Sequence, residues 1–326
     1  MPCKGGRARR GDQVVELTFT QAIAAIADDN QSGAAQIAER AADILLRRAL
    51  TGEASSPQAF RRDLLVTGWA LICAQTAMAP LVNLVNGILW KIDQSESPRS
   101  LHQAVAQATD EFKRQLRQHA LCVAEGALGL IGERSTIVTL SYSSTVQHAL
   151  IHAQRAGRRL EVICAESWPG NEGSETAQLL TSCGVHARLL SDGKAIESIA
   201  RADLVLVGAD MLTNDGLVNK IGTRRMALAA STAGTPFYTL CGSEKFLPPG
   251  FQPLAGIDWT PDDTLADVTR DAHIPQLVFD FTPLAALSGI VTEQGILPIA
   301  AIEAWLAATR LHPELANYVA EHKHWQ

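Results

Sequence analysis

From residue 135 onward the chain alternates short runs of branched apolar residues with stretches of helical periodicity, and that alternation leaves few folds open. Residues 135–140, 160–165, 185–190, 204–208 and 236–240 read as strands, with 277–281 as a sixth. Between them, 145–156, 174–182, 194–201 and 223–233 read as helices. Strands of this kind separated by helices imply a mainly parallel sheet covered on both faces. Such sheets take ligands in the crevice beyond the C-terminal ends of their strands. The residues that follow each strand are therefore the first place to look for chemistry.

The chain before residue 132 has a different period. Ala34, Ile37, Ala38, Ala41, Ile44 and Leu45 recur with the spacing of a helix that buries one face, and Glu39, Arg40, Asp43 and Arg47 fall mostly between them. Further helices are expected over 60–75, 80–92 and 101–128, the last with Val105, Phe112, Leu116 and Ala120 along one side and a turn-rich stretch before it. The expected division is a helical domain over 1–130 and an α/β ligand-binding domain over 131–326. With 47% hydrophobic and 19% charged residues, the 326-residue chain has material for a large core and is not globally disordered. Aromatic residues are scarce, at 5%, which favours closely packed, alanine-rich helices.

Charge and composition exclude several classes. A formal net charge of -6 argues against a general nucleic-acid binder, which needs a basic face. The six cysteines are scattered, with neither a C-x-x-C pair nor a Cys/His cluster, so reduced thiols in a cytoplasmic protein are expected rather than a disulfide frame. The stretch 64–90 has no charged residue and is long enough to span a bilayer, but Thr67, Gln75, Thr76, Asn83 and Asn86 interrupt it and Pro80 breaks it. It reads as two buried helical pieces, more apolar than one thin layer needs, which points to a homodimer or larger assembly rather than to a membrane.

Four groups stand just past expected strands. Ser141, Tyr142, Ser143, Ser144 and Thr145 offer hydroxyls and the free amides of the next helix, suited either to a phosphate or to plain N-capping. Glu166 either holds sugar hydroxyls or caps its loop. Asp210 follows the strand 204–208, and Asn219 and Lys220 come shortly before Thr223 at a helix start. The Asn214-Asp215-Gly216 turn between them lets the chain double back, so a carboxylate, an amide and an ammonium meet beside one crevice. A shielded carboxylate there can shuttle a proton, and Lys220 with the helix amides can neutralise a phosphate. Lys245, after the strand ending at 240, can add a second positive charge. His148 and His152 lie four apart on one helix, a spacing that suits zinc, but no third ligand is evident and the general-base glutamate of the H-E-x-x-H pattern is missing. Cys241 stands at a strand end, as a structural thiol or a reactive one. No strand is followed by G-x-G-x-x-G, so no dinucleotide, and no cofactor or metal, is expected.

The segment LVLVGADMLTNDGLVNKIGT over 204–223 resembles the signature of the translation initiation factor 2B alpha/beta/delta family. EKFLP at 244–248 and FDFTPLAALSGIVTEQGILP at 279–298 extend the resemblance, which covers about 29–298. Relatives in that family include methylthioribose-1-phosphate isomerase and ribose-1,5-bisphosphate isomerase. The resemblance implies a helical N-terminal domain followed by a Rossmann-like domain of the NagB/RpiA/CoA transferase-like type, usually in a dimer. It also implies that Asp210 is the isomerases' catalytic aspartate and that Asn219, Lys220 and Lys245 contact the phosphorylated substrate.

Three positions depart from the isomerase pattern. Ser141 stands where the isomerases carry a catalytic cysteine. Ser32-Gly33-Ala34 stands where they carry Arg-Gly-Ala, and Met78 replaces a second arginine. A hydroxyl titrates far above a thiol, and two lost guanidiniums are two lost phosphate clamps. The resulting expectation is a protein that binds a phosphorylated sugar or nucleotide, regulatory or weakly catalytic. The alternatives are an aldose–ketose isomerase using Asp210, assisted by Ser141, on a sugar 1-phosphate, and a subunit of a guanine-nucleotide exchange assembly.

Overall fold

A computed structural model describes residues 18–52, 54–95, 98–251, 257–258 and 278–322. Among the described residues five helices come first: α1 (Phe19–Ala27), α2 (Ala34–Thr51), α3 (Pro57–Ala74), α4 (Ala79–Ile92) and α5 (Pro98–Leu128). Each start has a local cause. Thr18 and Gln21 close a capping box on α1, Ser56 caps α3 ahead of Pro57, and Pro80 sits in the first turn of α4, where its missing N–H costs nothing. All six apolar positions read from the α2 period are buried. The uncharged stretch 64–90 becomes α3 and α4, broken at Gln75–Met78. Most of its apolar residues lie in the helical core of this one chain, so the excess that pointed to an interface is largely used internally. Among the described residues no helix is long and apolar enough to cross a membrane.

The remainder alternates as expected: β1 (Arg134–Leu140), α6 (Ser144–Arg155), β2 (Arg159–Ala165), α7 (Glu172–Ser182), β3 (His186–Leu190), α8 (Asp192–Ser198), β4 (Leu204–Val207), β5 (Met211–Leu212), β6 (Gly216–Lys220), α9 (Thr223–Ala233), β7 (Phe237–Leu240), β8 (Ile257–Asp258), β9 (Phe279–Pro283), β10 (Gly289–Thr292), β11 (Gly295–Leu297), α10 (Ile299–Ala308) and α11 (Pro313–His322). Among the described residues seven strands form one sheet in the order β11-β10-β7-β4-β1-β2-β3, parallel throughout except for the edge strand β11. A helical N-terminal region followed by this sheet is the Rossmann-like arrangement the alternation implied.

One strand goes elsewhere. The expected sixth strand becomes β9, which pairs antiparallel with β6 in a separate sheet of order β5-β6-β9-β8. That small sheet is wedged between two cores. Met211 and Val218 join the helical core, while Leu212 and Leu217 face the core beneath the large sheet. Alternation along a strand makes this possible, because successive side chains point to opposite faces.

Two helices tie the layers together. Leu101, Val105, Phe112 and Leu116 of α5 belong to the helical core, and Val123, Ala124 and Ala127 farther along belong to the core against the large sheet. The last helix, α11, returns to the first layer, where Leu315 and Val319 pack among α1–α5.

Candidate functional site

Two small adjoining cavities open at the C-terminal ends of the central strands. The first lies at the start of α6 and is lined by Ala34, Ser143, Ser144, Thr145, Asn219 and Lys245, among others. The second lies at the start of α7, and its lining includes Ser32, Gln75, Met78, Glu172 and Lys220. Gly33, Ser141, Tyr142 and Asp210 line both, so these four residues stand at the junction. The volumes, about 30 and 60 Å³, admit water molecules only, and a larger ligand has to part the lining. A roomier cleft of about 730 Å³ beside Arg61, Glu314 and Tyr318 holds none of the expected site residues.

Ser141 ends β1 in the left-handed region, at φ 65°. A non-glycine residue there carries strain of roughly 1–3 kcal/mol and persists only where its surroundings over-determine it. They do. The Ser141 N–H donates to Ser167 Oγ at 2.7 Å, and its carbonyl accepts from Thr176 Oγ1 at 2.9 Å. Ser167 is itself fixed, because its N–H and that of Trp168 donate to the two carboxylate oxygens of Asp192 at 2.6 and 2.9 Å. The next residues bring the α6 N-terminus over the cavity. Ser143 caps it only weakly, accepting from the Val146 N–H at 3.4 Å. Gly208 is required opposite, since a Cβ there would run into Ser143 Oγ.

Asp210 is held through its backbone. Its N–H donates to the Val218 carbonyl at 3.0 Å, and its carbonyl accepts from the Ala79 N–H at 3.0 Å, which joins the start of α4 to the site. Its carboxyl lies within electrostatic reach of Lys245, Lys220 and Glu172. Burial pushes it up to about 6; Lys245 and Lys220 pull it back, and Glu172 pushes it further.

The two lysines arrive from opposite sides. β6 sends Asn219 to the α6 cavity and Lys220 to the α7 cavity, as strand alternation requires. Lys245 sits on the short turn Ser243–Lys245, with its Nζ donating to the Ala209 carbonyl at 2.9 Å. The Asn83 amide braces that turn, donating to the carbonyls of Glu244 and Phe246 at 2.7 and 2.8 Å. His119 of α5 meets Glu244 at 2.7 Å. Asn219 Nδ2 donates to Thr223 Oγ1 at 2.9 Å.

Lys220, expected to neutralise a phosphate, also has a partner within the protein. Its Nζ donates to Glu172 Oε1 at 2.6 Å, and both side chains are buried. Glu172 is the residue that sequence reasoning missed. Glu166, the expected carboxylate, lies outside both linings; its N–H and carbonyl join the backbone around α7, bonding Leu190 and Gly173. Six residues later the chain turns into the pocket. Gly173 permits this, because a Cβ there would collide with the Ala165 carbonyl. That crowding was the only available signal, and it is invisible before the strand end and helix start are docked.

The helical layer closes the site. Asp29 accepts from the N–H groups of Gln31 and Ser32 at 2.9 and 2.8 Å and pairs with Arg40. Burial acts to raise its carboxyl, but those donors outweigh it and hold it at about 2. This turn sets Ser32, Gly33 and Ala34 at the start of α2, and Gln36 reaches the Tyr142 hydroxyl at 3.2 Å. Apart from Glu166, then, every expected site residue lines one cavity or both. His152 pairs with Glu125 at 2.8 Å, and no group of His, Cys, Asp and Glu suited to a metal exists among the described residues. Cys241 is buried, and burial pushes its thiol well above the usual range.

Comparison with known proteins gives the chain's relatives. The family described as "Initiation factor 2 subunit family" matches residues 30–299. The chain is 31% identical over 275 residues to ribose 1,5-bisphosphate isomerase of Haloferax volcanii, covering 82% of this chain and 84% of that protein. It is 30% identical over 271 residues to the protein of the same name from Methanocaldococcus jannaschii, covering 82% and 87%. Among solved structures, translation initiation factor eIF-2B of Pyrococcus horikoshii OT3 superposes with a TM-score of 0.71 at 27% identity, over 86% of this chain and 96% of that one.

Proposed function

We propose that this chain, which belongs to the initiation factor 2 subunit family, is an aldose–ketose isomerase acting on a phosphorylated sugar. The observation that carries this reading is Asp210, a carboxylate at the junction of two polar cavities with its carboxyl near 6. Isomerisation removes a proton from the carbon beside a carbonyl, passes through an enediol, and returns a proton to the former carbonyl carbon. A group titrating near 6 is ionised often enough at neutral pH to accept that proton and is basic enough to hold and return it. Ser141, fixed beside it, offers a hydroxyl to the substrate oxygen on which charge develops. The phosphate is assigned to the α6 cavity, where helix amides, Ser144, Thr145 and Lys245 converge. The names of the two archaeal relatives support the substrate class.

Ser141 favours a second reading, a binding protein without turnover, because a hydroxyl is far less acidic than the thiol expected there from the isomerases. That reading includes the nucleotide-exchange subunit, which would bind without isomerising. The deciding experiment is proton NMR of a panel of pentose phosphates in heavy water. Solvent deuterium entering beside the carbonyl, dependent on Asp210, supports the isomerase. Saturable binding with neither exchange nor product overturns it. We also propose a homodimer, supported by the large apolar side chains that Leu50, Val66 and Trp90 leave exposed on the helical layer.

A further inference from the structure

The charges lining the two cavities do not suit a ligand with a phosphate at each end. Their only cations, among the described lining residues, are Lys245 in the α6 cavity and Lys220 in the α7 cavity. Lys220 is already bound to Glu172 at 2.6 Å in a buried pair. The other oxygen of that carboxylate, Glu172 Oε2, is closed off from solvent and has no hydrogen-bond partner among the described residues, in a residue only 5% exposed. A buried carboxylate oxygen without a donor is unfavourable, and the group that satisfies it must be a donor. A phosphate brings acceptors and negative charge; a sugar hydroxyl brings the missing hydrogen.

The remaining lining of the α7 cavity agrees. Ser32 and Gln75 are neutral and Met78 is apolar. Gln75 directs its amide nitrogen away to the carbonyls of Ile26 and Asp29, at 2.8 and 3.1 Å. The Asp29 carboxylate is taken up by Gln31, Ser32 and Arg40. The α6 cavity, by contrast, joins Lys245 to a helix N-terminus and five hydroxyl side chains. The site is therefore polarised, with an anion-binding end, a hydroxyl-binding end, and Asp210 and Ser141 between them.

We infer that Glu172 is a specificity-determining residue: it accepts a hydrogen bond from a sugar hydroxyl in the α7 cavity, neutralises Lys220, and so restricts the substrate to a sugar carrying a single phosphate. The inference rests on the phosphosugar reading above and narrows it. It separates this chain from relatives named for a bisphosphate.

Calorimetric titration of the full-length protein at low salt tests it, with ribose 1-phosphate, ribose 5-phosphate and ribose 1,5-bisphosphate as probes. The parent binds one of the monophosphates at least about tenfold more tightly than the bisphosphate, because a second phosphate meets an acidic, cation-poor end. In Glu172→Gln the ratio moves toward the bisphosphate by about tenfold or more, since the amide keeps an acceptor for Lys220 and loses the negative charge. A parent that prefers the bisphosphate overturns the inference while leaving phosphosugar binding intact. An unchanged ratio in folded Glu172→Gln removes Glu172 from the role. Binding of none of the three sugars overturns the phosphosugar reading itself. If the variant does not fold, the ratio measured on the parent still decides.

Discussion

Replacing Asp210 with asparagine should stabilise the protein, and by an amount that depends on pH. The carboxyl has a folded value of about 6 against an ordinary 3.8, because burial disfavours its charged form more than Lys245 and Lys220 favour it. A carboxyl raised on folding binds its proton more tightly in the native state. Below 3.8 both states hold the proton and the group is neutral in its effect. As pH rises toward 6 the unfolded state ionises first, so the native state loses stability across that window. Above it, about two units of difference correspond to roughly 3 kcal/mol at most. Asparagine never ionises, so Asp210→Asn should match its parent near pH 4 and exceed it by up to about 3 kcal/mol at pH 8. Urea unfolding of both proteins across that range measures the difference directly. A gap independent of pH, or one in which the variant weakens as pH rises, would mean that the lysines hold Asp210 ionised, and its role as a proton carrier would fall with that. The same variant should lose about 10²–10⁴-fold in turnover while keeping ligand affinity.

Other perturbations follow from the same geometry. Lys220→Ala leaves Glu172 as a buried charge without its ammonium and should cost about 3–5 kcal/mol in chemical denaturation, so Lys220 cannot be probed as a surface phosphate ligand. Gly208→Ala drives a methyl group into Ser143 and should cost about 1–3 kcal/mol with loss of ligand binding; a variant that melts and binds like the parent would show that the α6 cavity is wrongly drawn. For His119, burial lowers the ring's value but the Glu244 contact more than compensates, leaving it raised above 6.5. The stabilisation from that pair is fully present below 6.5 and is lost as pH rises through the higher folded value, so His119→Gln should destabilise at pH 6 and approach neutrality at pH 9, read from paired melting curves. Light scattering at micromolar concentration should report more than one 35.0 kDa chain per particle, and a monomer would end the dimer proposal.

The large elements were legible in the sequence because their signals are local. The α2 stripe from Ala34 to Leu45, the Thr223–Ala233 helix between its two glycines, and the strands ahead of Ser141 and Asp210 all follow from short-range periodicity. The small sheet was not. Leu217 and Val218 are flanked by Gly216 and by Asn219-Lys220, a stretch too short and too polar at its ends to show a strand period. Its partner β9 carries strand character but no sign of which sheet it joins. Strand-end logic and family resemblance together pointed to Asp210, Ser141, Asn219, Lys220 and Lys245, which the structure gathers at the two cavities. Neither could show that Lys220 pairs with Glu172, because the pairing of two buried charges is a long-range property, set by docking α7 against β6.

The return of α11 to the first layer bears on how the protein is made. Leu315 and Val319 pack among helices that span residues 19–128 and leave the ribosome long before them. Domains that emerge first commonly fold first during synthesis. Here the first layer cannot do so completely: it lacks both the C-terminal helix and the small sheet that supplies Met211 and Val218. A nascent chain released early would carry exposed apolar helices, a natural client for chaperones, and a truncation that removes α11 should lower the soluble yield well before it touches the geometry of the candidate site.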